Sequence, residues 1–453
     1  MVVFEKRMQI LVLAAALLLT SCGSGEQNAD PSESTVDTTV PEVTSPENAR
    51  EAVPSTLPDN LDFNGETITI LQRSEEPYIK EFNIAEETGD VVDDAVYNRN
   101  LQVEDRLNVK INTIERDGMN GKHTDFISTV RNEVFAGDSS YDVVSFYAWA
   151  NPYLSMEGVY MNLYELEHLN LKNPWWHKSF IENTEVYGQL YAAAGDIVKS
   201  SVTCSYGVYY NMTKGADYLK DINVYDLVRS GKWTVDKLTE LTRNVYQDLN
   251  GNTEKDTEDF YGWYIHGYSK HSYLAGLGAK LSKPDGNGGY EIDILNDHNL
   301  EIIEKTAQLS SEIGILFDLK EANYTGRMFK DNLTLFMYQH LRFSEGLREM
   351  EEDYAILPIP KLNEEQKTYN TLLEDAYSQI AVPITCQNPE MVGAFLELMG
   401  ELGYKKVTPA FLDTALKGKY LRDTDSAEMV DIILSGVNYE FVRTHTYVLN
   451  NPL

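Results

Sequence analysis

One stretch of the chain has residue types and spacing that suit a metal ion. Asp248-Leu-Asn-Gly-Asn-Thr-Glu-Lys-Asp-Thr-Glu-Asp259 sets oxygen-bearing side chains at alternate places and again near its end. A hard cation such as Ca²⁺ takes about six to eight oxygens, and a loop of this length supplies them from Asp248, Asn250, Asn252, the Glu254 carbonyl, Asp256 and Asp259. Two features depart from that pattern: Thr253 stands where such loops use glycine, and Asp259 is shorter than the usual bidentate Glu. No helix is expected after the loop, because Phe260 to Ile265 reads as a strand. A bound ion here would stiffen the fold rather than do chemistry, and the competing reading is a solvated acidic turn.

Other chemistry is thinly represented. The chain has no His-Glu-x-x-His pair, no Gly-x-Ser-x-Gly elbow and no phosphate-cradling glycine loop. Carboxylate pairs for glycoside hydrolysis stay open, since they are defined by separation in space and not in sequence. Against 71 acidic residues stand 38 basic ones, a formal net charge of −33, which argues against nucleic acid or anionic phospholipid as a partner.

The amino terminus carries an address. Lys6 and Arg7 precede the apolar run Ile10 to Leu19, which is too short to span a bilayer, so residues 1–21 are expected to form a signal peptide. Leu19-Thr20-Ser21-Cys22 resembles the bacterial lipobox, which makes Cys22 the expected lipidation site and the first residue of the mature chain. An ordinary secretory signal with a chance cysteine, or an uncleaved anchor, is the alternative. Residues 22–59 are expected to form a disordered acidic tether rich in Ser, Thr and Pro, too poor in apolar groups to offset the entropy of ordering. Cys204 and Cys386 either pair or stand as separate buried thiols.

The elements that must position any site alternate. Glu66 to Leu71 reads as a strand, Val91 to Leu107 as a helix, Val109 to Ile114 as a strand, Phe126 to Phe135 as a helix, and Tyr141 to Tyr147 as a strand. Such β-α-β alternation indicates an open sheet with crossover helices, and ligands bind such sheets at the carboxyl ends of the strands. Further on, Gln189 to Ala194 and Tyr206 to Tyr210 read as strands. Thr234 to Tyr246 reads as an amphipathic helix capped by Thr234, and Leu300 to Gly314 and Pro389 to Leu402 as helices. About 390 residues follow the tether, enough for two compact units.

Several stretches, in order, resemble the extracellular solute-binding proteins that feed ABC importers, in particular their longer carbohydrate-associated members. They are Asp142-Val-Val-Ser, Gly188-Gln-Leu-Tyr before Gly195-Asp196, Tyr209-Tyr-Asn211, Gly231-Lys-Trp-Thr234, and Tyr354-Ala-Ile-Leu-Pro-Ile-Pro-Lys361. Ile380-Ala-Val-Pro383, Pro409-Ala-Phe, Leu416-Lys-Gly-Lys-Tyr420 and Arg422 to Met429 complete the series. The resemblance implies an α/β, two-lobed periplasmic-binding-protein-like fold of type II, each lobe a sheet flanked by helices, joined by hinge strands. It implies a first lobe at 60–195 plus 335–380 and a second at 196–334 plus 381–453. Relatives of this long type continue past the position of Leu453, so the second lobe is expected to lack its last helices or to close differently. The implied protein is a monomeric, non-enzymatic receptor on the outer face of the cell membrane, held by its lipid anchor, with a carbohydrate ligand and an ABC permease as partners. The alternatives are a glycan-binding or glycan-degrading surface lipoprotein, or the same fold binding peptides.

A sugar has apolar C–H faces and a rim of hydroxyls, so its pocket needs flat aromatic rings and planar polar groups. Trp149 follows the strand ending at Tyr147 and is the expected platform in one lobe. Trp263, His266 and Tyr268 accompany another strand in the other lobe, and His340 follows the strand-like Leu335 to Tyr338. Asp196, Asp375 and Tyr377 are candidate hydroxyl partners near the hinge, with capping and turn roles as the alternative. Trp175, Trp176 and Trp233 are expected to be structural.

Overall fold

A computed structural model describes residues 46–119, 121–318, 326–420 and 424–449. The expected signal peptide, Cys22 and the tether as far as residue 45 lie outside the described residues. Among those described, no helix is long and apolar enough to cross a membrane.

Two sheets organise the fold. The first contains β1 (Glu66–Arg73), β2 (Val109–Arg116), β3 (Val143–Tyr147) and, far along the chain, β12 (Ser378–Ala381), in the order β12-β3-β1-β2. β1 runs parallel to both β2 and β3, and β12 closes the edge antiparallel to β3. The parallel pairs need crossovers, and the helices Val91–Leu107 and His123–Phe135 supply them. The first of these starts where the Asp90 side chain accepts from the Val92 and Asp93 N–H groups, and ends at Asn108 in the left-handed conformation (φ 49°).

The second sheet contains β4 (Tyr206–Asn211), β5 (Tyr246–Gln247), β6 (Phe260–His266), β9 (Ile315–Asp318), β10 (Thr334–His340) and β11 (Tyr354–Leu357). Its path is β11-β4-β10-β6-β5, with β9 also beside β6. A two-stranded ribbon of β7 (Ser282–Pro284) and β8 (Tyr290–Ile292) stands apart. Every residue of β4, β6 and β10 is buried, because apolar layers cover both faces. Tyr206, Val208, Trp263, Phe336 and Tyr338 face one layer, whereas Tyr209, Tyr261, Tyr264 and Met337 face the other.

This sheet membership differs from the expected lobe division. Strands at 334–340 and 354–357 belong to the second sheet, since β10 pairs with β4 and β6, and β11 with β4. Only β12 of the 335–380 segment returns to the first. Conversely, helix Pro389–Leu402 packs into the first core through Met391, Val392, Phe395 and Met399, although it was assigned to the second lobe. Its nearly continuous apolar surface suits a helix buried on all sides. The expected strand at Gln189–Ala194 makes only isolated bridges, one of them between Ala193 and Ile380.

The tether ends earlier than expected. Pro46–Glu51 is helical, Leu57 is buried in the first core, and Ser55 and Thr56 donate to Glu401 and Glu397 at 2.5 and 2.8 Å. These residues order because the helix at 389–402 offers both an apolar recess and two carboxylates. Cys204 and Cys386 are separate buried thiols.

The chain passes between sheets along two segments that lie side by side. Ser205 bridges to Leu373, and the Glu374 N–H donates to the Cys204 carbonyl at 2.8 Å. Residues 193–205, which include the short helix Ser200–Thr203, and 371–380 therefore run antiparallel as a crossing between the two cores, joined at Ala193–Ile380 and Ser205–Leu373.

Candidate functional site

The carboxyl ends of β1 and β3 in the first sheet, and of β6 and β10 in the second, come together beside this crossing. β1 ends in Arg73, whose side chain is 1 % exposed. Its Nη2 donates to the Ala376 carbonyl and the Ser378 hydroxyl at 2.8 and 2.7 Å, and its guanidinium lies 3.7 Å over the Tyr78 ring. Tyr147, at the end of β3, faces the same guanidinium at 5.6 Å. The stem of Arg73 fits because Gly118 has no Cβ, which would stand 2.9 Å from the Arg73 Cγ.

From the second sheet, β10 ends in His340, followed by Arg342. Arg342 donates to the Tyr78 hydroxyl at 3.2 Å and to Glu374 of the crossing at 3.3 Å, tying the first sheet's loop, the crossing and the second sheet together. His340 Nε2 lies 3.7 Å from the same Glu374 oxygen. Burial pushes His340 well below the usual imidazole range, with Arg342 adding to the effect, so the ring is neutral. His266 is also buried and pushed down to about 4. Burial raises the Glu374 carboxyl, partly offset by Arg342.

A small recess joins Trp149, Asp375 and Tyr377 with Ala148, Leu373, Tyr439, Arg443 and Thr444. Trp149 is half-buried, and its ring packs on Tyr447 at 4.5 Å, His123 at 5.1 Å and Tyr147 at 5.7 Å. Asp375 pairs with Arg443. Tyr377 accepts from Gln379 at 3.1 Å and contacts Tyr439 edge-on. The free volume is about 20 Å³, room for little more than one water. A sugar does not fit this recess as it stands.

Trp149, Asp375 and Tyr377 are thus gathered in one recess, and His340 reaches the neighbouring Glu374. Other expected positions lie elsewhere. Trp263 is fully buried in the second core, 6.2 Å from Tyr273, because β6 is covered on both faces; it is a packing residue. Asp196 is buried, with Thr408 donating to it and Arg50 at 3.7 Å, and it lines a separate cavity of about 900 Å³ with Trp176 and Tyr404. Its backbone N–H donates to the Trp175 carbonyl, a turn role. Tyr268 lies in the short turn Gly267–Ser269, and its side chain is outside the described residues. Trp175, Trp176 and Trp233 are buried, the last donating to the Pro358 carbonyl at 2.8 Å.

Sequence reasoning missed Arg73, Tyr78, Arg342, Glu374, Arg443 and Tyr447. Arg73 carried little signal, because an arginine near a strand end is equally at home in solvent. Arg443 and Tyr447 carried none.

The 248–259 loop follows the course of a cation loop in part. Asp248 accepts from the Gly251 and Thr253 N–H groups, Asn250 from Asn252, and Asn252 from Glu254. Thr253 adopts φ 64°, the left-handed conformation usual for glycine. The oxygens suit a hard cation in kind; Asn250 and Asn252 both reach Asp256, donating at 3.1 and 2.7 Å, whereas the carboxylates of Asp248, Asp256 and Asp259 do not converge on one point. Asp259 is fully buried and accepts from the Tyr246 hydroxyl and the Leu249 N–H at 2.9 and 3.2 Å. Among the described residues, three metal-capable His, Cys, Asp or Glu groups converge only at Glu167, His168 and Glu390.

No protein-family model and no curated protein matches the chain. Solved structures do. A galacto-N-biose/lacto-N-biose I-binding protein of the ABC transporter from Bifidobacterium longum, in complex with lacto-N-biose, is similar at TM-score 0.54 and 14% identity, covering 86% of this chain and 91% of that one. A cyclo/maltodextrin-binding protein with maltotetraose gives 0.55 and 11%, over 86% and 93%. An ABC substrate-binding protein from Listeria monocytogenes with cycloalternan gives 0.51 and 11%, over 85% and 94%. The chain therefore has the two-domain α/β fold of periplasmic binding proteins, each sheet flanked by helices.

Proposed function

We propose that the protein is an extracellular receptor that captures a sugar or oligosaccharide between its two sheets and delivers it to an ABC importer. The observation that carries this reading is the meeting of flat rings with planar polar groups beside the inter-sheet crossing. Trp149, Tyr147 and Tyr447 present the rings, and His340, Glu374, Asp375 and Arg443 the polar groups. The fold is shared with proteins whose structures are saccharide complexes. Ligand bridging the two sheets would stabilise the closed arrangement, which a permease would recognise, so the work is a population shift with no bond made or broken. Glu374 and Asp375 are each held by an arginine, an arrangement suited to recognising hydroxyls rather than to shuttling protons.

The proposal includes a monomer anchored at the outer face of the cell membrane through lipid on Cys22. It also includes Ca²⁺ in the loop of Asp248, Asn250, Asn252, Glu254, Asp256 and Asp259, where an ion would stiffen the turn between helix and β6. Metal analysis of chelator-stripped, Ca²⁺-reloaded protein is expected to find one calcium, and finding none removes that part. The function itself is tested by a thermal-shift screen of residues 46–453 against mono- and oligosaccharides, with peptides and amino acids as controls. A saccharide at a hundred times its dissociation constant adds about 2.7 kcal/mol. A shift with peptides alone would overturn the carbohydrate reading.

A further inference from the structure

One arginine at the junction of the two sheets is left without an acidic partner, in a chain that is otherwise strongly acidic. The charged groups that act most strongly on Tyr78 and Tyr147 are Arg73, Arg342, Arg443, Glu374 and Asp375, with Glu81, Asp90, Asp93 and Glu345 further along the pocket beside Tyr78. Arg342 is matched by Glu374 at 3.3 Å, and Arg443 is matched by Asp375. Arg73 is matched by no carboxylate within ion-pair distance among the described residues. Its five N–H groups are served by only two acceptors, the Ala376 carbonyl and the Ser378 hydroxyl. Nε and Nη1 have no partner although the side chain is 1 % exposed.

A buried guanidinium left short of acceptors is costly, and chains rarely keep one unless something completes it. The aromatic faces of Tyr78 and Tyr147, over which the guanidinium lies, soften the cost without supplying the acceptors that Nε and Nη1 lack. Glu81, the nearest alternative along the network, is occupied by the Ser200 N–H and the Ser378 hydroxyl.

We infer that the ligand is an acidic saccharide, whose carboxylate is received by the free N–H groups of Arg73 at the end of β1. A single planar carboxylate matches the two unpartnered nitrogens, Nε and Nη1, of one guanidinium, whereas a phosphate would bring a second charge with no cation left for it. Trp149 and Tyr147 would hold the sugar faces, and opening of the sheets would admit the carboxylate to Arg73. This inference rests on the carbohydrate reading and narrows it to uronic-acid-type sugars.

Calorimetric titration of the 46–453 protein with matched pairs tests it: galacturonic acid oligomers against galactose oligomers, glucuronic acid against glucose, and the corresponding sugar phosphates. The acidic member of at least one pair is expected to bind tenfold or more tighter than its neutral partner, as a charge-assisted hydrogen bond requires. The preference should weaken as salt rises. Arg73→Gln should abolish the preference while leaving weak binding of the neutral partner, and Arg73→Lys should restore part of it. Equal or tighter binding of neutral sugars, with no salt dependence, overturns the acidic inference and leaves the carbohydrate reading standing. Preference for the phosphates also overturns it. Binding of no saccharide in any pair overturns both, and the wild-type comparison decides this even if the Arg73 variants fail to fold.

Discussion

Arg342 is the residue on which the junction of the two sheets most depends, and its replacement has a signature in pH. In Arg342→Gln the ion pair with Glu374 and the hydrogen bond to Tyr78 are lost together. The side chains of the pair are 19 % and 12 % exposed, so the loss falls between that of a surface pair, at most about 1 kcal/mol, and that of a fully buried one, about 3–5 kcal/mol. About 2–3 kcal/mol is expected near neutral pH. For a domain of about 400 residues this lowers Tm by roughly 3 °C, scaling from about 2.1 cal/mol/K per residue. Without Arg342 the largest offset to the burial of Glu374 is gone, leaving only Arg73 and Cys204 to hold it down, so its folded pKa, already raised, rises further. A carboxyl whose pKa is higher folded than unfolded weakens the fold above the unfolded value, near 4.5, and the penalty fades as pH falls toward it. Scanning calorimetry of wild type and variant at pH 8 and pH 5 is therefore expected to give a clearly larger Tm difference at pH 8. An identical difference at both values, or none at either, would refute the assignment of Arg342 and Glu374 as a linked pair.

Trp149→Ala should weaken saccharide binding about tenfold, from loss of roughly 60 Å² of contact at about 25 cal/mol per Å²; titration showing unchanged affinity removes Trp149 from the site. Thr253→Gly should raise stability by about 1 kcal/mol in thermal unfolding, by relieving a β-branched residue at positive φ, and a drop would show that Thr253 is held there at no cost. Burial pushes His266, His271 and His445 down to about 4, so the unfolded chain binds more protons below about 6.5 and stability falls between pH 6.5 and 4. His266→Gln should flatten that decline in a series of melting curves, and an unchanged slope would mean that His266 takes up its proton in the folded state.

Much of the framework could be read from local chemistry. Helix 91–107 and helix 389–402, the latter opened by Pro389, lie where their sequence pattern places them, and so do β1 to β3 by their apolar alternation. What local chemistry could not show was partnership. Thr334–His340 reads as a strand in either sheet, and only its pairing with Tyr206–Asn211 assigns it to the second. Trp263 looked like a platform because aromatic content does not reveal that both faces of its strand are covered. Trp149 was legible because the carboxyl end of a parallel strand is where such folds expose side chains. Arg73 was not, since an arginine at a strand end looks the same whether it meets solvent or the buried junction of two sheets. Asp375 and Tyr377 were placed near a hinge, but the partner of Asp375 is Arg443, some seventy residues on, at no spacing a sequence pattern reveals.

The most direct test of the account is calorimetric titration with the saccharide giving the largest thermal shift, followed by mass spectrometry of the ligand recovered from the cell. The account predicts one ligand per chain, a negative heat-capacity change from burial of the sugar faces against Trp149, Tyr147 and Tyr447, and recovered ligand of unchanged mass. Cleaved ligand, or saccharides giving no binding heat while peptides do, would contradict it.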